Sequence, residues 1–496
     1  MQETHQYRYG ENRFWEIVPG ALVWATVFGA VALSFLAPEA AIILIILFDV
    51  YWLFRVLYFV VYLFLAWRAY RLAMRTDWKQ KLSAVPHAER IIHLILLPTY
   101  QEDLAVLRDM LRSLQAGAFD PKRMIVVLGG EERDRARFEK NAGQLEREFG
   151  RTFLKFYSTI HPKDLPDEIP GKGSNLHWMG HRVVEWLAKD FSSVKDEDVI
   201  VSAFDVDTMV HPHYFSYLTY LYCTIPDPTR SSYQPVVLFS NNIWTAPAPV
   251  RIAAFGTTFW LMGELTRPER LWTFSSHSMP WKMLKEVGFW DKGIVSEDSR
   301  IFLQAFVHYH GKYRVTPLYL PVSMDTVVGE TYAKALWALY KQQRRWAWGV
   351  EHLPFMMRAF LKDPEISFRK KAKFLFNHME GMFTWATAPL LIFVLGRLPL
   401  SLAGDYGSAF IQTAPFTLEA LMQGAMIGVF VSGILSISLL PPRPKSVKWH
   451  HSILMIAQWV LLPVTFIIFG AIPAIDAQTH LMFGKYLGFN VTKKVR

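Results

Sequence analysis

The chain has 496 residues, of which 52% are hydrophobic, 15% aromatic and only 19% charged. Such hydrophobicity excludes a disordered chain, and the charged fraction lies below the roughly 25% usual in soluble domains. The net charge of +10 favours anionic partners such as lipid headgroups or nucleotide phosphates, and the single cysteine, Cys223, excludes an intramolecular disulfide and any cysteine cluster for zinc or iron–sulfur.

Val18 to Ala37 carries no charge, enough for about 30 Å of helix, one hydrocarbon thickness. Ala40 to Trp67 follows, interrupted only by Asp49 and Arg55, and Pro38-Glu39 between the runs predicts a tight membrane hairpin. Arg68, Arg71, Arg75, Lys79 and Lys81 come after the hairpin, whereas its turn has no basic residue. By the positive-inside rule both ends of the hairpin are cytosolic. Asp49 falls near mid-bilayer, where a carboxylate either pairs with a cation on another helix or contacts a translocating substrate. Arg55 lies off its helical face.

A cytosolic body then extends to Lys373. Ile91–Pro98 reads as a buried strand, Leu104–Gln115 as a helix, and Met124–Leu128 as a strand ended by Gly129-Gly130. Glu132–Phe149 and Asn175–Lys189 read as helices, and Val199–Phe204 as a strand. The alternation predicts an α/β domain with a mostly parallel sheet and helices on both faces, binding its ligand beyond the carboxyl ends of the strands. Further apolar runs lie at Gly381–Gly396 (weak), Ala420–Leu440 and Ile453–Ile475. The expected division is a hairpin over 1–67, a catalytic body over 68–330, interfacial helices over 331–373, a membrane region over 374–480 and a terminal segment over 481–496.

The residues following the strands carry the candidate chemistry. In Asp205-Val206-Asp207, two carboxylates one residue apart either share a hard cation with phosphate oxygens or face water in a turn. Ser296-Glu297-Asp298 precedes a helical run, Ser299–Val307, so its acids are either helix caps or a general base at the mouth of a site. Gln342-Gln343-Arg344-Arg345-Trp346 sits on an amphipathic stretch with an apolar face of Tyr332, Leu336, Leu339 and Tyr340. Such a helix lies in a membrane interface, or its arginines clamp a diphosphate while Trp346 stacks on a sugar. Gly171-Lys172-Gly173-Ser174-Asn175 suits the approach of a phosphate but is not a nucleotide-hydrolysing P-loop. His277 is either a substrate contact or a satisfied structural histidine.

Taken in order, these motifs resemble those of membrane-integrated family 2 glycosyltransferases, which include cellulose and hyaluronan synthases. Pro98-Thr99-Tyr100-Gln101-Glu102 looks like that family's donor-nucleotide motif, and Asp205-Val206-Asp207 like its metal-binding Asp-x-Asp. Ser296-Glu297-Asp298 is similar to its Thr-Glu-Asp, and Gln342 to Trp346 to its Gln-[Gln/Arg]-x-Arg-Trp. Lys172-Gly173-Ser174-Asn175-Leu176-His177 resembles Lys-Ala-Gly-Asn-Leu-Asn, and Phe489-Asn490-Val491-Thr492-Lys493-Lys494 resembles the Phe-x-Val-Thr-x-Lys gating loop of bacterial cellulose synthase. The resemblance runs from about Ile91 to the last residues.

It implies a cytosolic domain of glycosyltransferase-A type, joined to a helical transmembrane region with interfacial helices. It implies Asp298 as catalytic base and Asp205 and Asp207 as ligands of Mg²⁺ or Mn²⁺. Donor contacts fall to Pro98, Thr99, Tyr100, Glu102, Glu131, Lys172, Asn175, Asp205, Gln342, Arg344, Arg345, Thr492 and Lys494. Acceptor contacts fall to Trp346, Ser276, His277 and Glu297. Where the family carries paired aspartates that read uracil, this chain has Gly129-Gly130-Glu131-Glu132, so a UDP-sugar is the first expectation and a GDP-sugar stays open.

The implied reaction is metal-dependent, inverting transfer of a hexose from a nucleotide-sugar to a growing glycan, processive and coupled to export across a bacterial inner or plasma membrane. The expected partners are the donor, a glycan or lipid-linked acceptor and membrane lipids, with no nucleic acid. Single-sugar transfer to a lipid, and a non-catalytic channel or scaffold of a glycan synthase, are the alternatives. Glycoside hydrolysis also uses paired carboxylates but needs no diphosphate clamp. Three crossings after the cytosolic body would leave the C-terminus outside, against Lys485, Lys493, Lys494 and Arg496 and against the gating-loop resemblance. Either one apolar run does not cross or another crossing is hidden; the weak Gly381–Gly396 run and the run broken by Pro463 and Pro473 are the suspects.

Overall fold

The computed structural model describes residues 8–403 and 409–488. Its sheet contains β1 (Ile92–Pro98), β2 (Met124–Glu131), β3 (Lys155–His161), β4 (Val199–Ala203), β5 (Met209–Val210), β6 (Ser231–Phe239), β7 (His277–Pro280) and β8 (Arg314–Met324). The strand order is β3-β2-β1-β4-β7-β6-β8-β5. β3, β2, β1 and β4 are parallel. β7 runs antiparallel between β4 and β6, β8 is parallel to β6, and β5 closes the far edge antiparallel to β8. Alternate residues of the central strands enter two different cores. Leu94, Leu96, Val127 and Val201 face one, with Leu176 and Met179 of the Lys172–Asp190 helix. Ile95, Leu97, Val126 and Ile200 face the other, with Leu107 and Leu111 of the Leu104–Gln115 helix. A period of two with both faces covered is why these strands read as continuous apolar runs.

One boundary differs from expectation for a steric reason. β2 does not end at Leu128 but continues through Gly129 and Gly130 to Glu131. A Cβ on Gly129 would lie 2.3 Å from Met179 Sδ, and one on Gly130 would lie 2.3 Å from the Phe138 ring. The glycines therefore admit the close approach of two helices on opposite faces of the strand rather than stopping it. β3, β6, β7 and β8 were not anticipated. β6 and β8 contain Pro235, Pro317 and Pro321, residues that normally argue against a strand, and the β6–β8 register shifts between Pro235 and Val236.

Among the described residues, four helices are long and apolar enough to cross a membrane: Arg13–Leu36, Pro38–Arg75, Ile411–Leu439 and His450–Met482. Phe368–Phe393 passes the same test only together with Leu395–Leu402, across a 43° bend. Ile411–Leu439 lies parallel to Pro38–Arg75. Ile411 clusters with Ile42 near the hairpin turn, Gly428 abuts Val56, and Trp67 Nε1 donates to Ser438 Oγ at 3.2 Å.

His450–Met482 behaves differently. Just before it, Trp244 Nε1 donates to the Pro441 carbonyl. Along it, Arg251 donates to Gln458, Trp459 packs on Phe255 and Phe259, and Asp476 accepts from Tyr340 and Arg344. At its end, Arg13 donates to the Leu481 and Met482 carbonyls. The segment thus begins and ends against the catalytic body, and a 3₁₀ turn at Gln458–Leu461 and a π turn at Ile467–Ala471 break it. This segment is long and apolar enough to cross a membrane, yet both its ends contact the catalytic body and its helical neighbours. The cation partner expected for Asp49 is not found among the described residues. Its buried Oδ1 has no hydrogen-bond partner, and Arg55 pairs with Glu380 at 3.0 Å.

Candidate active site

The site forms where β4 ends and two helices begin. Lys172 opens one helix, and Glu297 and Asp298 open the other. Gly173 lets the two starts touch, since a Cβ there would lie 3.1 Å from both the Asp291 carbonyl oxygen and Glu297 Cβ. Lys172 Nζ lies 2.7 Å from Asp205 Oδ1, 2.9 Å from Asp298 Oδ1, 3.0 Å from Asp298 Oδ2 and 3.5 Å from Glu297 Oε1. Ser275 Oγ donates to Asp205 Oδ2 at 2.8 Å. His277 Nδ1 is 2.7 Å from the Phe274 carbonyl and 3.9 Å from Asp298 Oδ1.

One ammonium group therefore faces three carboxylates. Burial alone would lower the pKa of Lys172, but attraction by Asp205, Asp298 and Glu297 outweighs it, and the ammonium is held charged. Burial, and next the neighbouring charge of Asp298, push Glu297 up to about 8 against the opposing pull of Lys172 and Arg345. This shift favours the protonated, hydrogen-bond-donating form of Glu297. Burial pushes His277 down to about 4, leaving a neutral ring. Its Nδ1–H donates to the Phe274 carbonyl, and its buried Nε2 has no hydrogen-bond partner.

Other anticipated residues have different partners. Asp207 has no exposed surface, and its Oδ2 accepts the Asp325 N–H at 2.9 Å. Asn241 ties the same turn by donating to the Asp207 carbonyl and to Asp325 Oδ1. Ser276, expected at the acceptor, is fully buried and shares a hydrogen bond with Thr208 Oγ1 at 2.8 Å. Its φ is 62°, and its Oγ also accepts the Asp205 N–H at 3.4 Å, whereas Ser275 is the serine that reaches the Asp205 carboxylate. Arg344 does not join the acidic cluster but pairs with Asp476 at 3.0 Å, whereas Arg345 is close enough to act on Glu297.

On the donor side, the Pro98–Glu102 turn leaves β1. Thr99 N donates to the Gly129 carbonyl at 2.7 Å, Asn175 Nδ2 donates to the same oxygen at 3.0 Å, and Glu102 accepts from Tyr100 N. Glu131 pairs with His161 and lies 3.5 Å from Arg133. His161 bridges Glu131 to Glu168, with Nδ1 3.3 Å from Glu131 and Nε2 3.2 Å from Glu168. Burial opposes the imidazolium, but Glu131 and Glu168 together raise His161. Gln342 and Trp346 line a narrow cleft with Phe239, Val250, Thr326 and Val327. Thr492 and Lys494 lie outside the described residues.

The fit of a divalent cation follows from these donors. Among the described residues no group of three or more His, Cys, Asp or Glu side chains could hold a metal ion. Mg²⁺ and Mn²⁺ need only one or two carboxylates when substrate phosphates complete the shell. Asp205, with a side chain 25% exposed, fits such a cation arriving with a nucleotide. Asp207, expected as the second ligand, does not present itself, because its carboxylate is buried against Asp325. Ser275 was missed although it adjoins a named residue; Asp325, Asn241 and Glu351 carried no sequence signal, being brought in by distant segments.

A family model described as Glycosyl transferase family group 2 matches residues 200–472, more than half of the chain. The chain belongs to glycosyl transferase family group 2. Its sheet with covering helices is the glycosyltransferase-A-like architecture expected of such an enzyme, here joined to apolar helices. Among solved structures, this family 2 chain is similar to the mannosyltransferase PcManGT from Pyrobaculum calidifontis in complex with GDP-Man and Mn²⁺, at 13% identity over 85% of this chain and 99% of that one, with a TM-score of 0.42. It is also similar to S. aureus TarS 1–349 in complex with UDP-GlcNAc, at 12% identity over 71% and 93%, with a TM-score of 0.38. No curated protein sequence matches it.

Proposed function

We propose that this family 2 glycosyltransferase transfers a hexose from a nucleotide-sugar to a growing glycan with inversion, processively, at the cytosolic face of a membrane through which the product leaves. The observation that carries the reading is the meeting of Asp205 and Asp298 on one cation, Lys172, within 3.0 Å. Asp205 follows the strand end where a diphosphate binds in sheets of this kind, and Asp298 opens a helix facing it. Two acids and an ammonium at one point serve a reaction in which a hydroxyl loses a proton as a phosphate leaves.

In the proposed chemistry Asp298 accepts the proton of the acceptor hydroxyl, whose oxygen bonds to the anomeric carbon as the bond to the nucleotide diphosphate breaks. Lys172 and Arg345 offset the charge that develops on the departing diphosphate. Protonated Glu297 donates a hydrogen bond toward the acceptor, and Trp346 offers its ring to the sugar. One displacement with one base inverts the anomeric centre. A divalent cation held by Asp205 would add Lewis-acid stabilisation of the leaving diphosphate. The resemblance to cellulose and hyaluronan synthases supports processivity.

The test is nucleotide release by the full chain reconstituted in lipid, across UDP- and GDP-sugars with Mg²⁺ or Mn²⁺. Asp298→Asn should lower turnover by about 10²–10⁴-fold while donor affinity changes little. Normal turnover by that variant would remove Asp298 as the base. Product length then separates a processive enzyme from one that adds a single sugar to a lipid.

A further inference from the structure

Glu351 follows the Gln-Gln-Arg-Arg-Trp segment and is fully buried, yet it belongs to none of the motifs. Its Oε1 accepts the Ser296 N–H at 2.8 Å. Its Oε2 accepts from Trp348 Nε1 at 3.0 Å and from the Tyr9 hydroxyl. Ser296 immediately precedes the Glu297–His308 helix, which has no side-chain cap. In a capping box the third helical residue would take the Ser296 N–H. Here that residue is Ser299, and its Oγ pairs with His352 Nε2 at 2.7 Å. Glu351 and His352 therefore hold both ends of the first turn of the helix that carries Asp298. Arg300 reinforces the clamp, reaching His352 Nδ1 and Asp291 Oδ2, each at 3.3 Å.

The clamp also reaches both membrane ends of the chain. The Tyr9 ring, just before the first membrane helix, stacks on Tyr486 at 4.4 Å with an interplanar angle of 11°. Tyr486 follows the last helix and donates to Glu16 Oε2 at 3.0 Å. Tyr9 thus joins the terminal helices to Glu351 through its hydroxyl, which Trp348 Nε1 also contacts at 3.0 Å.

We propose that Glu351 is a positioning residue: by accepting the Ser296 N–H in place of a local cap, it fixes the Asp298 carboxylate beside Lys172, and Tyr9 couples that placement to the membrane helices. The proposal rests on the reading of Asp298 as the base. Placement matters because a shift of about 1 Å in a reacting group can cost about 10²-fold in rate.

The experiment compares Glu351→Ala, Glu351→Gln and Tyr9→Phe in the lipid-reconstituted full chain, reading nucleotide release with the donor that the panel identifies, with Asp298→Asn in parallel. A positioning role predicts that Glu351→Ala lowers kcat by about 10²-fold while donor KM stays within about 3-fold. Glu351→Gln keeps an acceptor for Ser296 N–H and should retain kcat within about 5-fold of wild type, with Tyr9→Phe falling between the two. Equal losses in the Ala and Gln variants, or a loss confined to KM, would overturn the proposal. If Glu351→Ala does not fold, Tyr9→Phe decides: a lower kcat at unchanged KM supports the role, and wild-type kinetics reject it. Turnover by Asp298→Asn would instead defeat the base assignment, whereas its loss alongside wild-type kinetics in all Glu351 and Tyr9 variants would defeat the positioning role alone.

Discussion

Lys172 and Asp298 lie 126 residues apart in the chain, yet Lys172 Nζ sits 2.9 Å from one oxygen of the Asp298 carboxylate and 3.0 Å from the other. Asp205 Oδ1 approaches the same nitrogen at 2.7 Å. A single ammonium thus joins the acid assigned to the acceptor and the acid assigned to the diphosphate. A donor's phosphates would compete for that ammonium and loosen its hold on Asp298.

Replacing Lys172 with Met removes an ammonium that lies within 3.5 Å of all three acids. Maximal turnover should fall by about 10²–10³-fold, as for other lost donors to a developing anion. Wild-type turnover would mean that Lys172 does not act on the departing diphosphate.

Glu297 gives a stability signature separate from activity. Its pKa rises from an ordinary 4.5 to about 8 on folding, through burial and then the charge of Asp298. For an acid raised in this direction, the folded state binds a proton that the unfolded state has lost, so stability declines as pH climbs from about 4.5 to about 8. The contribution is intact below the unfolded value and gone above the folded one. Thermal unfolding of Glu297→Gln in detergent should show a flatter midpoint across that window than the wild type. Parallel curves would refute the shift.

Gly129 and Gly130 are required by contact. Alanine at Gly130 would drive its Cβ to 2.3 Å from the Phe138 ring and should destabilise by about 1–3 kcal/mol through overpacking. Gly143, in the Arg135–Phe149 helix, has nothing within 4 Å of a built Cβ. Gly143→Ala should be neutral or stabilising by up to about 1 kcal/mol. Equal midpoints for the two alanine variants would show that β2 is not closely packed at the glycines.

Arg344 and Asp476 tie the Tyr332–Ala347 helix to the last helix, at 3.0 Å and with side chains 24% and 20% exposed. A double-mutant cycle with Arg344→Gln and Asp476→Asn should give a coupling of about 1 kcal/mol in thermal unfolding. Additive effects would mean that the arginine acts elsewhere, including at the nucleotide.

Much of the catalytic body was legible because its signals are local. The helix at Leu104–Gln115 has the boundaries its apolar spacing predicts, and β1 and β4 differ from theirs by one residue. Lys172, Asp205 and Asp298 could be singled out because they border apolar strands or helical runs. The outcome for their neighbours was not legible. Asp207 turns inward because Asp325 and Asn241 arrive from later segments, and Ser276 is buried against Thr208 and the Asp205 backbone.

The sequence by itself determined which segments are apolar, where the chain alternates between strand and helix, and which side chains have the chemistry for phosphate and proton transfer. Those properties follow from residue type and spacing over a few neighbours. Only the tertiary structure decided which acids share an ammonium, that both ends of the His450–Met482 segment meet the catalytic body, and that Glu351 caps a helix far from it in sequence. Each of these depends on strand order and helix packing, which bring together residues whose separation along the chain carries no record of their distance in space.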